Sequence, residues 1–352
     1  MKSLAIIGCG GIGSYHLGHF LQFDDVDLVG FCDLIIERAE DFQKQAGKGK
    51  VYTDFVQMLD ETKPDMVFVC VPPTCHGDIE FALIERGIHM FIEKPVSLDL
   101  QQAIAIRDAA EQKGIITASG FQCRYDNINE PTIDFIKNHE ICFINCVRMG
   151  DMPTIPWWRD KKLSGGQIVE QTIHQFDIIR YVFGEPDTVF SMGTRGFVRG
   201  VEGYDTDDLS STVVKFKNGT LATMSTGCYV KKGEAYDSKV TFSAPDARLD
   251  YYLLTRCDIY DGAKPQAEAA QGQTVIKGDG GIARSENEDC ITHHHTNGDT
   301  GLIADRVFID AVYSGDPSAI RTSYRDACRS LAFTLACNES METGLPVKIT
   351  ID

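Results

Sequence analysis

A glycine-rich turn between an apolar run and an amphipathic segment constrains the fold of this chain more than any other feature. Residues 4–7 (Leu-Ala-Ile-Ile) predict a buried strand, and a helical pattern runs from Ser14 to Phe23. Between them lies a G-x-G-x-x-G sequence that consists of Gly8, Cys9, Gly10, Gly11, Ile12 and Gly13. The first glycine permits a tight turn, the second lets the backbone approach a pyrophosphate, and the third permits close packing of the helix on the strand. The pattern predicts a dinucleotide site at the start of the helix, with a glycine turn that binds no ligand as the alternative.

An acidic residue ends the next apolar run and bears on the choice of dinucleotide. Asp33 follows Leu28–Cys32 and lies about 20 residues beyond Gly13. A carboxylate at this place accepts hydrogen bonds from the adenosine ribose and repels a 2′-phosphate, so Asp33 favours NAD over NADP. Arg38 follows five residues later, and because a basic side chain can cover a phosphate, NADP remains the alternative.

Strand and helix patterns continue to alternate as far as Ser119. Residues 65–71 predict a strand, Pro72 and Pro73 a loop at its carboxyl end, and residues 76–86 a helix. A nicotinamide ribose could pass Val71, Pro72 and Pro73, and His76 is either a ligand contact or only a helix cap. Repeated strand–helix units predict a doubly wound parallel sheet, that is, a Rossmann domain over residues 1–121.

Another apolar run, His89–Ile92, ends abruptly in Glu93, Lys94 and Pro95. As a buried strand, this run would place the acid and the base at the carboxyl edge of the sheet, where open α/β sheets bind ligands. Pro95 lacks an N–H and excludes helix for Lys94, so the chain must turn there. Glu93 and Lys94 are therefore candidates for a ligand site, with a strand-end salt bridge before a turn as the alternative.

The pattern changes after Gly120. The 352 residues exceed the roughly 250–300 at which one core stops growing, so two domains are expected. Several strand patterns follow residue 140, and Asn218-Gly219 between two of them is a strong hairpin signal. We predict an α+β domain over residues 122–352 with a large, mostly antiparallel open sheet. Its expected elements include strands at 274–276 and 347–351 and helices at 299–313 and 322–339.

One segment of this second domain carries polar residues at helical spacing. If a helix starts at Gly166, then Glu170, His174 and Asp177 follow at i, i+4 and i+7 on one face. An acid one turn before a histidine can hold the imidazole in one tautomer and raise its basicity, which makes a base with its orienting group. The alternative is a surface stripe of polar residues.

Three motifs, in this order and spacing, resemble the glucose–fructose oxidoreductase / inositol dehydrogenase / rhizopine-catabolism (Gfo/Idh/MocA) family: the glycine turn, Glu93-Lys94-Pro95 and the Gly165–Asp177 segment. The resemblance covers essentially the whole chain. It implies nicotinamide-dependent oxidation or reduction of sugars, cyclitols and related polyols, by dimers or tetramers that associate through the sheet of the second domain. It also implies that Lys94 is the active-site lysine, where cofactor and substrate meet, and that His174 is the catalytic histidine. Glu170 stands where inositol-dehydrogenase-like members usually carry Asp. Glu93 would support Lys94 or touch the nicotinamide ribose.

The resemblance extends to a tryptophan–arginine segment by which some members reach the cofactor from the second domain. An indole beside a guanidinium can stack on a ring and pair a phosphate or hydroxyl, whereas two core tryptophans are the alternative. We expect Trp158 and Arg159 at the cofactor and Trp157 at the substrate. Near the cofactor, Gln122 replaces an Asn that is frequent in the family. Near the substrate, Arg124 retains an Arg that is frequent there, and Tyr229 at a strand end is a further candidate for a substrate contact.

Charge and cysteine content restrict the partners. With 34 basic and 51 acidic residues the net charge is −17, which argues against nucleic acid or an anionic membrane, because both demand basic surface. The 12 cysteines are scattered through apolar runs and do not suit a disulfide framework. We find no basic-then-apolar leader and no run of 18 apolar residues, so a cytoplasmic protein is expected.

Three consecutive histidines, His293–His295, lie near Cys290. Adjacent residues of an extended loop point different ways and rarely share one ion, so no metal site is predicted. A metal site, a loop that brings a histidine to the substrate mouth and a plain solvated loop remain the alternatives for this stretch.

The sequence thus predicts an NAD(H)-dependent oxidoreductase of a sugar, anhydrosugar or cyclitol, assembled as a homodimer or homotetramer. His174 would take the proton of a secondary hydroxyl, Lys94 would stabilise charge on the same oxygen, and Glu170 would orient His174. The alternatives are a non-catalytic sensor of NAD(P) and a sugar-like ligand, and an NAD-dependent enzyme that cleaves glycosides or epimerises sugars.

Overall fold

The computed structural model describes residues 1–261 and 291–350, and its first sheet lies at the amino-terminal end of the chain. The strands are β1 (Lys2–Ile7), β2 (Val26–Cys32), β3 (Lys50–Tyr52), β4 (Met66–Val69), β5 (His89–Ile92) and β6 (Thr117–Ser119). All are parallel, in the order β3-β2-β1-β4-β5-β6. This is the doubly wound arrangement, so the predicted fold class is confirmed for this part.

Five helices connect these strands: α1 (Gly11–Phe20), α2 (Ile36–Ala46), α3 (Phe55–Thr62), α4 (Asp78–Arg86) and α5 (Leu100–Gln112). The first begins at Gly11, inside the glycine turn and earlier than the pattern suggested, because glycines carry no apolar periodicity that could reveal a helical turn. Asp54 begins α3 by accepting hydrogen bonds from the Val56 and Gln57 N–H groups. Since α4 begins at Asp78, His76 lies just before it rather than within it.

The second sheet is larger and mostly antiparallel, as predicted. It contains β7 (Phe143–Asp151), β8 (Pro186–Thr194), β9 (Leu209–Phe216), β10 (Leu221–Val230), β11 (Ala235–Ser243), β12 (Ala247–Tyr252), β13 (Arg256–Asp261), β14 (Ile291–His295) and β15 (Val347–Lys348). Their order is β14-β13-β12-β11-β7-β10-β9-β8-β15, and β7–β10 is its parallel pair within the described residues. Asn218-Gly219 closes the predicted hairpin between β9 and β10. The strand expected at 274–276 lies outside the described residues.

The remaining helices are α6 (Asn129–Asn138), α7 (Lys161–Ser164), α8 (Gly166–Glu170), α9 (Ile173–Phe183), α10 (Thr300–Ser314) and α11 (Tyr324–Thr343). In the part of the chain that the structure describes, no helix is both long and apolar enough to span a membrane.

The helix predicted to run without interruption from Gly166 past Asp177 is broken in two. The Thr172 N–H and the Thr172 hydroxyl both donate to the Gln167 carbonyl oxygen, at 2.9 and 3.2 Å. This closure over five residues replaces the regular helical bond and ends α8 at Glu170. Glu170 and His174 therefore belong to different helices, and their predicted place on one continuous face is wrong.

The last helices return to the first sheet. Phe308 of α10 is fully buried, and the centroid of its ring lies 5.5 Å from that of Phe68 and 5.8 Å from that of Phe91. Leu331 of α11 belongs to the apolar cluster that also contains Ile92 and Ile106. Residues after 300 thus complete the helix layers that cover the first sheet. The predicted domain boundary between residues 121 and 122 stays a prediction.

The three histidines lie in β14, at the edge of the second sheet, so a loop was the wrong prediction for them. His293, His294 and His295 pair in register with Asp258, Cys257 and Arg256 of β13. His293 Nδ1 also lies 2.6 Å from an Asp258 carboxylate oxygen. Cys290 lies outside the described residues. The 11 cysteines within them are free thiols.

Candidate functional site

The glycine turn leaves open space where a phosphate group would approach. Gly8 has a φ of 94°, and a Cβ there would overlap the Cys70 carbonyl oxygen, while a Cβ at Gly13 would overlap the Gly8 carbonyl oxygen. Gly10 and Gly11, by contrast, have no neighbouring heavy atom within 4 Å of a Cβ position. Ile12 is 41% exposed, and no side chain caps the amino terminus of α1. The N–H groups of this first turn are therefore available to an anion, and the turn fits a pyrophosphate.

Asp33 lies beside this turn. One of its carboxylate oxygens accepts from the Cys9 N–H at 2.8 Å, and the other accepts from the Ile35 N–H at 2.9 Å. The Arg38 guanidinium lies 4.0 Å from Asp33, and its side chain is 53% exposed. The Asp33 carboxylate is thus held by backbone N–H groups, while the Arg38 side chain is exposed and contacts Asp33 at 4.0 Å.

The loop after β4 passes the glycine turn. Val71 and Pro72 are half-buried, Pro73 is buried, and the Val71 side chain lies 3.2 Å from a Cβ position at Gly8. His76 is buried, and its Nδ1 lies 2.7 Å from a Glu80 carboxylate oxygen. His76 Nε2 is buried and has no hydrogen-bond partner among the described residues, so it is free to contact a ligand.

Lys94 reaches from the end of β5 to the end of α8. Its Nζ donates to the Glu170 carboxylate and to the Glu170 carbonyl oxygen, both at 2.9 Å. The Lys94–Pro95 peptide bond is cis. The two hydrogen bonds pair Lys94 with Glu170 of α8 and not with its neighbour Glu93. The predicted hydrogen bond between Glu170 and His174 is wrong, because the lysine takes the Glu170 carboxylate.

Glu93 is held from the opposite side by a histidine that the sequence reasoning missed. Its carboxylate accepts from the Lys94 backbone N–H at 3.1 Å and lies 3.0 Å from His16 Nε2. His16 Nδ1 lies 2.8 Å from an Asp305 carboxylate oxygen, and His19 Nδ1 lies 2.6 Å from the same oxygen. Burial lowers the pKa of His16, but the charges and hydrogen bonds of Asp305 and Glu93 outweigh it and raise that pKa to about 10. His16 is therefore an imidazolium that braces Glu93.

His174 is the neutral base candidate of the site. It is half-buried in α9, with its Nδ1 4.0 Å from the Cys123 sulfur and its ring edge-on to Phe121. Burial and the charge of Lys94 lower the pKa of His174 to about 4. The imidazole is thus uncharged at neutral pH and able to accept a proton.

Arg124 does not face open space as the prediction of a substrate contact requires. It is 2% exposed, and its guanidinium donates twice to the Asp177 carboxylate, at 2.7 and 2.9 Å. It also donates to the Arg321 carbonyl oxygen at 2.8 Å. This ion pair joins the turn that Gln122 opens to α9, which carries His174 one turn before Asp177. Gln122 itself is half-buried.

The tryptophan–arginine segment forms a 3-10 turn, Pro156–Arg159, that leads into α7. Trp158 is fully buried, and its indole N–H has no partner among the described residues; the same holds for Arg159 Nε. Trp157 is half-buried. Because α7 packs on the turn Pro73–Cys75, this segment lies against the loop that follows β4. Tyr229 is 38% exposed, and its ring contacts Phe197.

Comparisons with known proteins find relatives that match both parts of the chain. Residues 2–121 match the profile of an oxidoreductase family, NAD-binding Rossmann fold, and residues 140–248 match the GFO/IDH/MocA C-terminal domain. The scyllo-inositol 2-dehydrogenase (NAD(+)) of Bacillus subtilis is 28% identical over 356 residues, which cover 99% of this chain and 96% of that protein. The myo-inositol 2-dehydrogenase of Thermotoga maritima is 26% identical over 259 residues, which cover 72% of this chain and 78% of that protein. The solved structure of levoglucosan dehydrogenase in complex with NADH has a TM-score of 0.81 at 17% identity and covers 99% of each chain, which shows a common fold.

Proposed function

Because this chain belongs to the Gfo/Idh/MocA family of NAD(P)-dependent oxidoreductases, we propose that it transfers hydride between NAD and a secondary alcohol or ketone of a sugar, anhydrosugar or cyclitol. The observation that carries the proposal is the contact between Lys94 and Glu170, 2.9 Å apart, at the carboxyl edge of the first sheet. The neutral His174 lies close enough for the Lys94 charge to lower its pKa. The names of the inositol dehydrogenases that resemble this chain support the polyol substrate.

The residues around the glycine turn fit a dinucleotide. The amino terminus of α1 would hold the pyrophosphate, and Asp33 the adenosine ribose. The loop from Val71 to Pro73 would run along the nicotinamide ribose. Polar groups that would complete the cofactor site are His76, Glu93, Gln122, Trp158 and Arg159. Bound NAD supplies the acceptor for the hydride that leaves the substrate carbon.

In the proposed reaction the protein's own residues accept one proton and stabilise one developing negative charge. In the oxidation direction, His174 accepts the hydroxyl proton as the substrate carbon loses its hydride. Lys94 donates a hydrogen bond to the same oxygen and stabilises its negative charge. Glu170 holds the Lys94 ammonium in place, a role that replaces the predicted orientation of His174. Trp157 and Tyr229 remain proposed substrate contacts.

A spectrophotometric screen tests the function. Inositols, aldoses, anhydrosugars and keto-sugars are offered with both cofactors, and NADH or NADPH formation or consumption is followed. We expect turnover of at least one polyol or its ketone. Glycoside cleavage without net change in NADH would instead establish the alternative in which a transient oxidation drives elimination. No reaction with any member of the panel would contradict the proposal.

Changing Asp33 to asparagine should weaken the preference for NAD. The amide keeps an oxygen for the Cys9 N–H but no longer repels a 2′-phosphate. We expect kcat/KM for NAD to fall about 10-fold and the NAD-to-NADP ratio to fall further, as the loss of a charged hydrogen-bond acceptor would give. Steady-state kinetics with both cofactors measure the ratio. Asp27→Asn, which removes an exposed charge from the strand that precedes Asp33, is the control. A wild-type enzyme that prefers NADP would refute the role of Asp33.

The pH dependence of oxidation should reflect the low pKa of His174. Because that pKa is about 4 rather than the ordinary 6.5, the imidazole stays neutral as the pH falls from 7 to about 5, and the ability to accept a proton is lost only near pH 4. We expect kcat/KM for the oxidised polyol to have its acidic limb near pH 4, and His174→Asn to abolish that limb. An acidic limb near pH 6.5 would show that burial and the Lys94 charge do not lower the pKa of His174.

The second sheet supports the proposal of a homodimer or homotetramer. Its outer face exposes Phe190, Met192 and Val213 on neighbouring strands. Apolar side chains exposed together on a sheet are typical of an interface between subunits. Sedimentation analysis would reveal the assembly.

A further inference from the structure

Arg148 is a charged residue at the site for which the proposed reaction gives no role. It lies on β7, on the strand face where Ile144 and Cys146 pack in the core, and it extends their row toward the carboxyl end of the strand. That end lies under the break between α8 and α9. The contacts of Arg148 there connect it to the groups that would meet the substrate.

Two neutral acceptors hold the guanidinium of Arg148. Its Nη1 donates to the Gln171 side-chain oxygen at 3.0 Å and to the Gly227 carbonyl oxygen at 3.3 Å. The group lies over Gly150, where a Cβ would stand 2.9 Å from the arginine Cζ. A residue with a side chain at position 150 would displace the guanidinium from this place.

No carboxylate lies within 4.0 Å of Arg148 in residues 1–261 and 291–350 (the salt bridges there involve other residues). The two carboxylates whose charges act on Arg148 from farther away are hydrogen-bonded elsewhere: Glu170 to Lys94, and Asp151 to the Gly233 N–H at 2.9 Å. The chain has 51 acidic residues, so the missing partner does not reflect a shortage of acids. A guanidinium stays charged even when it is half-buried, and a charge taken from water needs an opposite charge. Burial lowers the pKa of Arg148, and the acidic groups of Cys228, Asp151 and Glu170 oppose that shift without reversing it.

The Arg148 guanidinium, which forms no salt bridge in the described part of the chain, lies next to the reacting groups. Glu170 and Gln171 are consecutive, and the first accepts from Lys94 while the second accepts from Arg148. The two basic residues thus flank the end of α8. Nε and Nη2 of Arg148 have no partner in the described chain and are not sealed from solvent, so they remain able to donate to a ligand.

We propose that Arg148 binds an anionic group of the substrate, so that the enzyme acts on an acidic sugar that carries a carboxylate or a phosphate. The proposal rests on the proposed sugar oxidoreductase function and narrows its substrate class. Carboxylate and phosphate both accept two parallel hydrogen bonds from a guanidinium, which a neutral hydroxyl does not. Arg148 would distinguish acidic from neutral sugars, while Lys94 and His174 would act on the carbinol in either.

The test compares matched sugars in wild type, Arg148→Gln and Arg148→Lys. Glucose, glucuronate and glucose 6-phosphate form one set, and galactose and galacturonate another. We expect wild-type kcat/KM to be at least about 10-fold higher for an acidic sugar than for its neutral partner, and Arg148→Gln to lose about 10- to 100-fold on the acidic sugar with less than about threefold change on the neutral one. Arg148→Lys keeps the charge without the planar fork and should fall between them. Arg199→Gln removes an exposed arginine that, among the described residues, donates only to the Gly196 carbonyl oxygen, and it controls for net charge.

Calorimetric binding of glucuronate and glucose 6-phosphate to the NADH-loaded enzyme separates this inference from the redox proposal. Acid binding that needs Arg148, without turnover of any sugar, would uphold the anion site and reject the oxidoreductase assignment. The inference would be overturned if the enzyme bound or turned over neutral sugars as well as acidic ones and if Arg148→Gln changed neither. In that case the oxidoreductase assignment would still stand. Absence of binding by both acids would also overturn it. If only one of the two acids binds, the result shows whether the site takes a carboxylate or a phosphate.

Discussion

Replacing Lys94 with alanine is expected to lower kcat by about 10²–10⁴-fold, the range that a positioned proton-transfer or charge-stabilising group contributes. The ammonium is the group that Glu170 fixes at 2.9 Å, and its loss removes the donor for the developing oxyanion. The affinity for NADH should change little, because the glycine turn and Asp33 lie apart from this side chain. Stopped-flow or steady-state kinetics on the substrate found in the screen, with fluorescence titration of NADH, measure the two effects separately.

The variant also allows a test by chemical rescue. Ethylammonium added to Lys94→Ala should restore part of the activity, because the small amine can replace the missing ammonium, whereas it should not help a variant whose fold has been damaged. Lys48→Met removes an exposed lysine and serves as the control. A Lys94→Ala enzyme that keeps near-normal turnover would eliminate the lysine from the mechanism.

Changing Arg124 to methionine is expected to lower the free energy of unfolding by about 3–5 kcal/mol, the usual cost of removing one partner of a buried ion pair. Asp177 is fully buried, and both of its oxygens accept from Arg124. Without the arginine, the carboxylate keeps Ser330 as a donor and the more distant charge of Arg180. Denaturation by urea, followed by fluorescence and circular dichroism, measures the change.

An exposed pair provides the contrast. Lys48→Met breaks the pair with Asp27, whose side chains are both more than one-third exposed, and should cost less than about 1 kcal/mol. A loss for Arg124→Met as small as that of the control would show that Asp177 finds another counter-ion. Asp177→Asn, which leaves Arg124 with Asp326 at 3.5 Å as its remaining anion among the described residues, should destabilise the protein by a similar amount.

Local patterns predicted the first sheet because the relevant signals lie close together in sequence. The glycine turn follows its strand directly, and the structure places Asp33 against the Cys9 N–H, as the spacing between them suggests. Pro95 similarly marked the turn that carries Lys94 away from β5. Such features depend on backbone sterics and on the carboxyl edge of a parallel sheet, and both can be inferred from a short segment.

Contacts between distant residues could not be inferred in the same way. The spacing of Glu170 and His174 suggested a pair on one helix, but a lysine 76 residues before Glu170 takes its carboxylate. Arg124 resembled a substrate residue, and only the fold brings Asp177, 53 residues later, to neutralise it. His16 went unnoticed because it lies within an amphipathic pattern. Its spacing from His19, which places both on one side of α1, was the available signal.

The position of α10 has a consequence for the order of folding during synthesis. The strands that carry Phe68 and Phe91 leave the ribosome long before Phe308, the residue that covers both rings in the finished protein. Nascent chains tend to fold from the amino terminus, yet this sheet lacks part of its cover until translation is almost complete. The contacts that close it have very large sequence separation, which favours slow final docking and leaves an apolar surface for chaperones to protect in the meantime.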